Sequence, residues 1–328
     1  MEISRRNNAL DLNADTVNGV TADIAITTHG SDFYFSVCGV MGFAGFAFLA
    51  LAYRKERRDR LFHYITAAVV FVASIAYFTM GSNLGFTPIE VEFFRSDPEV
   101  AGTYREIFYV RYIDWFITTP LLLLDLLMTA GTPWPTLLWL ILVDWIMIVT
   151  GLVGALVFNR YKWAYFAFGC FAMFYIIYHL VWESRLHARA YGKDVEKVFM
   201  LCGSLTTILW ILYPVAWGLC EGGNVIPPDS EAVFYGALDL LAKPVFGSLL
   251  LWGHRNIDPA RLGLAIKDYD GEALVHEERK PEHLHNGPNA NRADGYSNGN
   301  GNGNGNGNGN GNGNGNGNGN ITHVGNAV

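Results

Sequence analysis

The stretch from Arg111 to Asp125 reads RYIDWFITTPLLLLD, an apolar run with an arginine at its start, an aspartate near that start and another at its end. Read as a helix, Arg111 and Asp114 stand three residues apart and Asp114 and Thr118 four, so the three share a face. Asp114 and Asp125 are eleven residues apart. That is about three turns, or roughly 16 Å of rise, so Asp125 falls on the same face. Each carboxylate on an apolar helix costs about 2.5–3.5 kcal/mol to insert into lipid. The pattern makes sense where this face lines a polar path, and proton relays commonly occupy such paths.

The surroundings of this stretch are equally apolar. Of 328 residues, 51% are hydrophobic and only 16% charged; residues 31–254 are dense in Leu, Ile, Val, Phe and Trp, and the last 70 or so are polar and rich in Gly and Asn. Seven segments there are long enough to cross a bilayer, each needing about 20 residues. They lie near 31–53, 60–82, 105–128, 134–157, 161–186, 197–220 and 231–253. A large soluble helical protein is the alternative, and it fails because too little polar surface remains to cover seven such helices. The expected fold is an all-α membrane protein, a seven-transmembrane-helix bundle. It divides into an extracellular N-terminal tail (1–30), the helical domain (31–254) and a cytoplasmic tail (255–328).

Charge sets the expected orientation. RKERRDR, from Arg54 to Arg60, holds five basic residues in seven, and Arg185, Arg189, Lys193 and Lys197 cluster between the fifth and sixth spans. Positive connections stay in the cytoplasm, which places the N-terminus outside and the C-terminus inside. The acidic connections, near 83–104 and at EGGNVIPPDSE, then face out. Residues 83–104, with Gly85, Pro88, Pro98 and alternating apolar positions, predict a β-hairpin over the outer face. The first thirty residues are polar and show no signal peptide. Pro133 and Pro135 mark the start of the fourth helix. From Asn298 to Asn320 the chain is pure Asn-Gly alternation, which buries nothing and predicts disorder. The sequon at Asn320 would never meet the glycosylation machinery on an inward tail. The net charge of −7 includes no basic patch suited to nucleic acid. Cys38, Cys170, Cys202 and Cys220 lack metal-ligand spacing and read as structural thiols.

The remaining membrane charges form one constellation. In the seventh span Asp239 and Lys243 are four residues apart, with Lys243 close to the bilayer centre. An ammonium there needs partners, and Asp114 and Asp239 lie at suitable depth. An ion-pair network that merely sets helix register is one reading. The other is that Lys243 is the amine of a Schiff base with an aldehyde cofactor. A one-way proton path then needs an ionised carboxylate outside the amine and a neutral one inside it. Asp114, beside Arg111, fits the first requirement, and Asp125, after Leu121 to Leu124, fits the second.

RYIDWFITTPLLLLD, together with WILYPVAW (Trp210 to Trp217) and LDLLAK (Leu238 to Lys243), resembles the third, sixth and seventh helices of bacteriorhodopsin-type microbial rhodopsins, in particular the fungal proton-pumping branch. The resemblance covers all seven spans and neither tail. It implies all-trans retinal on Lys243 as a protonated Schiff base. Asp114 would be the primary acceptor, Asp239 and Arg111 would complete the counterion cluster, and Asp125 would be the inner donor. Glu221 and Glu231 would form the outer release pair. Trp115, Trp210, Tyr213, Pro214 and Trp217 would wall the chromophore, with Thr118, Thr119, Leu122, Met147 and Gly151 shaping the rest. Tyr77 and Tyr112 would belong to an outer hydrogen-bond network. Leu122 implies green absorption.

Other single residues read more simply. Asp144 is a protonated partner for Thr119, while His179, Glu183 and His187 are interfacial. Pro244 frees a carbonyl near Leu240 and bends the seventh helix. Gly169 and Phe166 stand where the family has other pocket residues. The function implied is a light-driven outward proton pump in the plasma membrane, with protons and the lipid bilayer as partners. It is no enzyme and binds no metal or nucleic acid, and trimers are frequent among such proteins. The alternative is a photosensory receptor with a slow cycle, against which the intact Asp125 argues. A channel would need a row of glutamates that the third span lacks. A G-protein-coupled receptor would have no use for the lysine–aspartate cluster. A chromophore-free, chaperone-like relative is excluded only if Lys243 binds retinal.

Overall fold

The computed structural model describes residues 7–92 and 102–264. Seven helices in it are long and apolar enough to cross a membrane: α1 (Thr28–Ala52), α2 (Leu61–Gly81), α3 (Tyr109–Ala130), α4 (Trp134–Leu156), α5 (Lys162–Tyr191), α6 (Lys193–Gly222) and α7 (Pro228–His254). Chain neighbours pack side by side and α1 closes the ring against α7, while α3 also packs on α6. The bundle is apolar on the outside, where Phe43, Ile75, Leu138, Phe171 and Ile208 are exposed. It buries Arg111, Asp114, Asp125, Asp144, Lys162, Glu221, Glu231, Asp239 and Lys243 within. That reversal of a soluble protein's pattern is what a hydrocarbon solvent demands.

Local signals set the helix ends, within three residues of the expected bounds at the four described next. Thr27 caps α1 by accepting from the His29 amide. Pro133 precedes α4, and Pro227 precedes α7. Gly131 stops α3 in a left-handed conformation (φ 67°), returning its N–H to Leu127 and Met128.

Two boundaries differ from expectation. Residues 105–107 are strand rather than the start of the third span. The strands β3 (Thr87–Glu90) and β4 (Tyr104–Ile107) form the expected antiparallel hairpin, because the chain first crosses the mouth of the bundle. The fifth–sixth connection shrinks to Gly192, whose φ of 130° only glycine holds comfortably. Arg185, Arg189, Lys193 and Lys197 therefore lie on helix ends rather than in a loop. Before α1, Thr16–Val17 (β1) pairs with Val20–Thr21 (β2), so the N-terminal segment is structured and lies against the hairpin, where Ile24 bridges Arg105. The Asn-Gly repeat and Asn320 lie outside the described residues.

Two spanning helices carry one wide π turn each, at Gly218–Gly222 in α6 and Leu241–Val245 in α7. A third, His179–Ser184, interrupts α5, where His179 pairs with Glu183. Pro244 sits inside the α7 turn, next to Lys243, which is the local effect expected of a proline that cannot donate to the preceding turn.

Candidate functional site

Lys243 is at the centre of the bundle. Its Nζ lies 2.5 Å from Asp114 Oδ2 and 3.0 Å from Asp239 Oδ2, with all three side chains fully buried. Asp239 is held by two phenols, Tyr77 donating at 2.7 Å and Tyr213 at 2.5 Å. Breaking such a buried pair by removing one partner typically costs about 3–5 kcal/mol, since the charge left behind is unpaired. Three residues predicted from sequence thus meet at one point, contributed by α3 and α7.

One end of the bundle carries the β3–β4 hairpin, and the other carries the basic Arg54–Arg60 connection. Toward the hairpin end, Arg111 donates to Glu231 (2.6 Å) and to Tyr34 (2.9 Å), reaches Glu221 at 3.4 Å, and lies over the Tyr235 ring at 4.3 Å. None of its hydrogen bonds goes to Asp114 or Asp239, so the expected counterion cluster is really two layers, with Arg111 in the outer one. Glu221 and Glu231 are buried rather than solvated loop charges. The π turn of α6 carries Glu221 to Tyr112 (3.1 Å) and Tyr235 (3.0 Å), while Lys162 Nζ donates to its carbonyl at 2.9 Å. Arg105 from the hairpin donates to Glu231 at 2.7 Å and also to Asn224. Burial works against the Arg105 charge, but Glu231 outweighs it and holds the guanidinium above its ordinary value. Beside it Glu106 accepts from the Ile26 amide at 2.9 Å. Burial pushes the Glu106 carboxyl up to about 8, reinforced by Asp15 and Glu231.

Toward the basic end the environment changes. Asp125 is fully buried and neither carboxylate oxygen has a hydrogen-bond partner. Asp144 meets Thr119 at 2.7 Å, as expected. The Thr119 hydroxyl also contacts the Trp115 carbonyl at 2.8 Å, and its single hydrogen serves both bonds only if Asp144 is the donor in one.

A cavity opens from Lys243 between α3, α4, α5 and α6. Trp115, Thr119, Leu122, Met147, Gly151, Trp210, Tyr213, Pro214 and Trp217 line it, as expected. Thr118 does not, because its hydroxyl turns back to the Asp114 carbonyl at 2.8 Å. Tyr112, Ile148, Cys170, Met173 and Ala242 line it as well, beyond those expected, as do Phe166 and Gly169. An apolar polyene aldehyde fits this cavity, which begins at an amine and is walled almost entirely by aromatic and aliphatic side chains.

A family model described as bacteriorhodopsin-like protein matches residues 29–257. The chain belongs to the bacteriorhodopsin-like family. It is 70% identical over 267 residues to the opsin-like protein carO of Fusarium fujikuroi, covering 81% of this chain and 87% of that one. Among solved structures it resembles the light-driven proton pump LR (Mac) of Leptosphaeria maculans, with a TM-score of 0.67, 35% identity and coverage of 72% and 99% of the two chains. The light-driven proton pump CsR of Coccomyxa subellipsoidea matches with a TM-score of 0.66, 37% identity and coverage of 70% and 98%.

Membership makes this chain an integral membrane rhodopsin, a light-driven transporter or photoreceptor rather than a conventional enzyme, with retinal as its chromophore. Within this rhodopsin, sequence reasoning missed Tyr34, Tyr235, Arg105 and Lys162. The two tyrosines look like ordinary apolar-helix aromatics in sequence. Arg105 and Lys162 sit at the ends of elements, where basic residues are usually solvated.

Proposed function

We propose that this rhodopsin is a light-driven proton pump that moves protons from the basic end of the bundle to the hairpin end, that is, from cytoplasm to outside. The observation that carries this reading is the contrast between two carboxyl groups of α3: that of Asp114 bonds to Lys243, and that of Asp125 has no hydrogen-bond partner.

Lys243 would hold all-trans retinal covalently, and the bound chromophore would supply light absorption and a change of shape at the amine. Lys243 presents its nitrogen proton to Asp114, which is ionised at rest because an ammonium faces it. When that contact is broken, the proton stays on Asp114. Asp239, held by Tyr77 and Tyr213, keeps a compensating negative charge beside the amine. Arg111, Glu221 and Glu231 then hand a proton to the hairpin side through Tyr112 and Tyr235. Asp125, kept neutral by its dry surroundings, returns a proton to the Lys243 nitrogen from the opposite side. Trp115, Trp210 and Trp217 exclude water from the cavity between them.

The basic residues of Arg54–Arg60 support a cytoplasmic location for that end, with the N-terminus outside, and a plasma-membrane pump is the corresponding cellular role. A photosensory receptor would leave Asp125 without a task. The test is external pH in an unbuffered suspension of cells making the protein and supplied with all-trans retinal. Green light should acidify the medium and a protonophore should abolish the change. Coloured cells that produce no change would overturn the pump.

A further inference from the structure

The basic end of the bundle holds buried polar groups for which the pump described above has no role. His254, the last residue of α7, is buried and stacks on Phe62 with ring centroids 4.3 Å apart. Its Nδ1 lies 2.9 Å from the Leu250 carbonyl and must therefore carry a hydrogen to donate there. Its Nε2 lies 3.2 Å from the Thr129 hydroxyl oxygen. That hydroxyl in turn lies 2.7 Å from the backbone carbonyl of Asp125, one helical turn away.

Counting hydrogens shows what this chain can do. With His254 neutral and its hydrogen on Nδ1, Nε2 can only accept. The Asp125 carbonyl and Nε2 then compete for the single Thr129 hydrogen. With a second hydrogen on Nε2, the ring donates to Thr129, Thr129 donates to the carbonyl, and every bond in the row is made. The site is thus built to take a proton at Nε2, whose partner Thr129 stands one turn, about 6 Å of helical rise, from the donor residue Asp125 on α3.

The other side of His254 meets a cavity of about 240 Å³. Lys55 and Asp59 face it from the α1–α2 connection, His63 from α2, and Arg255 and Asp258 from the segment after α7. The element packed on Nε2 is α3, which contributes Thr129 and, a turn away, Asp125. The buried His63 puts a second imidazole on the same cavity. Histidine is the side chain whose ordinary titration range lets it both take and give a proton near neutrality.

We propose that His254 is the uptake relay that carries protons from the cavity at the basic end to Asp125, with Thr129 as its positioning hydroxyl. A proton from cavity water adds to Nε2, then passes to the ionised Asp125, leaving a neutral imidazole and a carboxylic acid. This role rests on the reading of Asp125 as the inner donor.

The experiment follows flash-induced proton uptake with a soluble pH indicator, using the retinal-loaded full chain in nanodiscs. Wild type is measured first, and a wild type with no uptake rejects the pump itself and says nothing against the relay geometry. With uptake present, His254→Gln, which keeps hydrogen bonding but cannot carry the proton, should slow uptake by about a hundredfold at pH 7. Added imidazole should restore the rate, and the visible absorption maximum should not move. Uptake at the wild-type rate and with the wild-type pH profile overturns the proposal, as does slowing that imidazole leaves unchanged. Should His254→Gln fail to fold, His254→Asn in the same retinal-loaded nanodiscs takes its place: slowed uptake restored by imidazole is expected, and uptake at the wild-type rate rejects the relay.

Discussion

Toward the hairpin end, Arg111 alone reaches Glu231, Glu221, Tyr34 and the Tyr235 ring. Asp125, on the same helix, has both oxygens buried without a partner. One half of the bundle is a packed network of charge-assisted hydrogen bonds, while in the other the Asp125 carboxyl is buried with no hydrogen bond to either oxygen. A network of this kind accepts and passes charge readily because each member's neighbours compensate it. An isolated carboxyl holds its proton until a stronger base appears nearby. Put on opposite sides of one lysine, the two environments would give the proposed pump a direction that neither would give alone.

Breaking the lysine should have the largest effect. Lys243→Ala leaves Asp114 and Asp239 facing each other with no amine, and the purified variant mixed with retinal should show no visible absorption band. A coloured variant would remove Lys243 as the attachment point. Next, Asp125→Asn keeps shape but removes the proton, and recovery of the resting absorption at pH 7 should slow by about a hundredfold, in line with the loss of a positioned acid. Unchanged recovery kinetics would place the inner donor elsewhere.

The hairpin half should respond more gently to single changes in its function, because its members back one another up. Glu231→Gln takes a carboxylate from both Arg105 and Arg111. Thermal unfolding should show about 3–5 kcal/mol of lost stability, with flash-induced release delayed but pumping retained. The smallest effect concerns Glu106. Its carboxyl titrates at about 8, against an ordinary value of 4.5. The folded chain therefore keeps a proton that the unfolded chain gives up. Its contribution is fully present below pH 4.5 and is lost as pH rises toward 8, by at most about 1.4 kcal/mol per pH unit. Denaturation midpoints measured across that window should fall less in Glu106→Gln than in wild type.

Much of this contrast was legible in the sequence. Spacing alone put Asp114 and Asp125 on one face, and Asp239 one turn from Lys243, because helical periodicity is rigid enough to carry a residue's direction across several turns. The apolar residues around Asp125 announced its isolation. Less legible was everything that depends on a turn being wide or a loop folding inward. The π turn that carries Glu221 to Tyr112 has no periodic signature. Arg105 precedes α3, and only the hairpin's path across the bundle mouth brings it to Glu231. Arg111 was expected beside Asp114 because they share a face, yet a long arginine reaches whichever carboxylate is more available. Asp114 is already held by Lys243, so Arg111 turns to Glu231.

The most direct test of this asymmetry is time-resolved infrared difference spectroscopy of the carboxyl C=O stretch after a flash, with Asp114→Asn and Asp125→Asn as assignments. The expected record is a carboxylic acid band that appears with Asp114, followed by transient loss of a resting acid band belonging to Asp125. A resting spectrum in which Asp125 is already ionised, or a cycle in which its band never changes, would contradict the division of labour between the two halves.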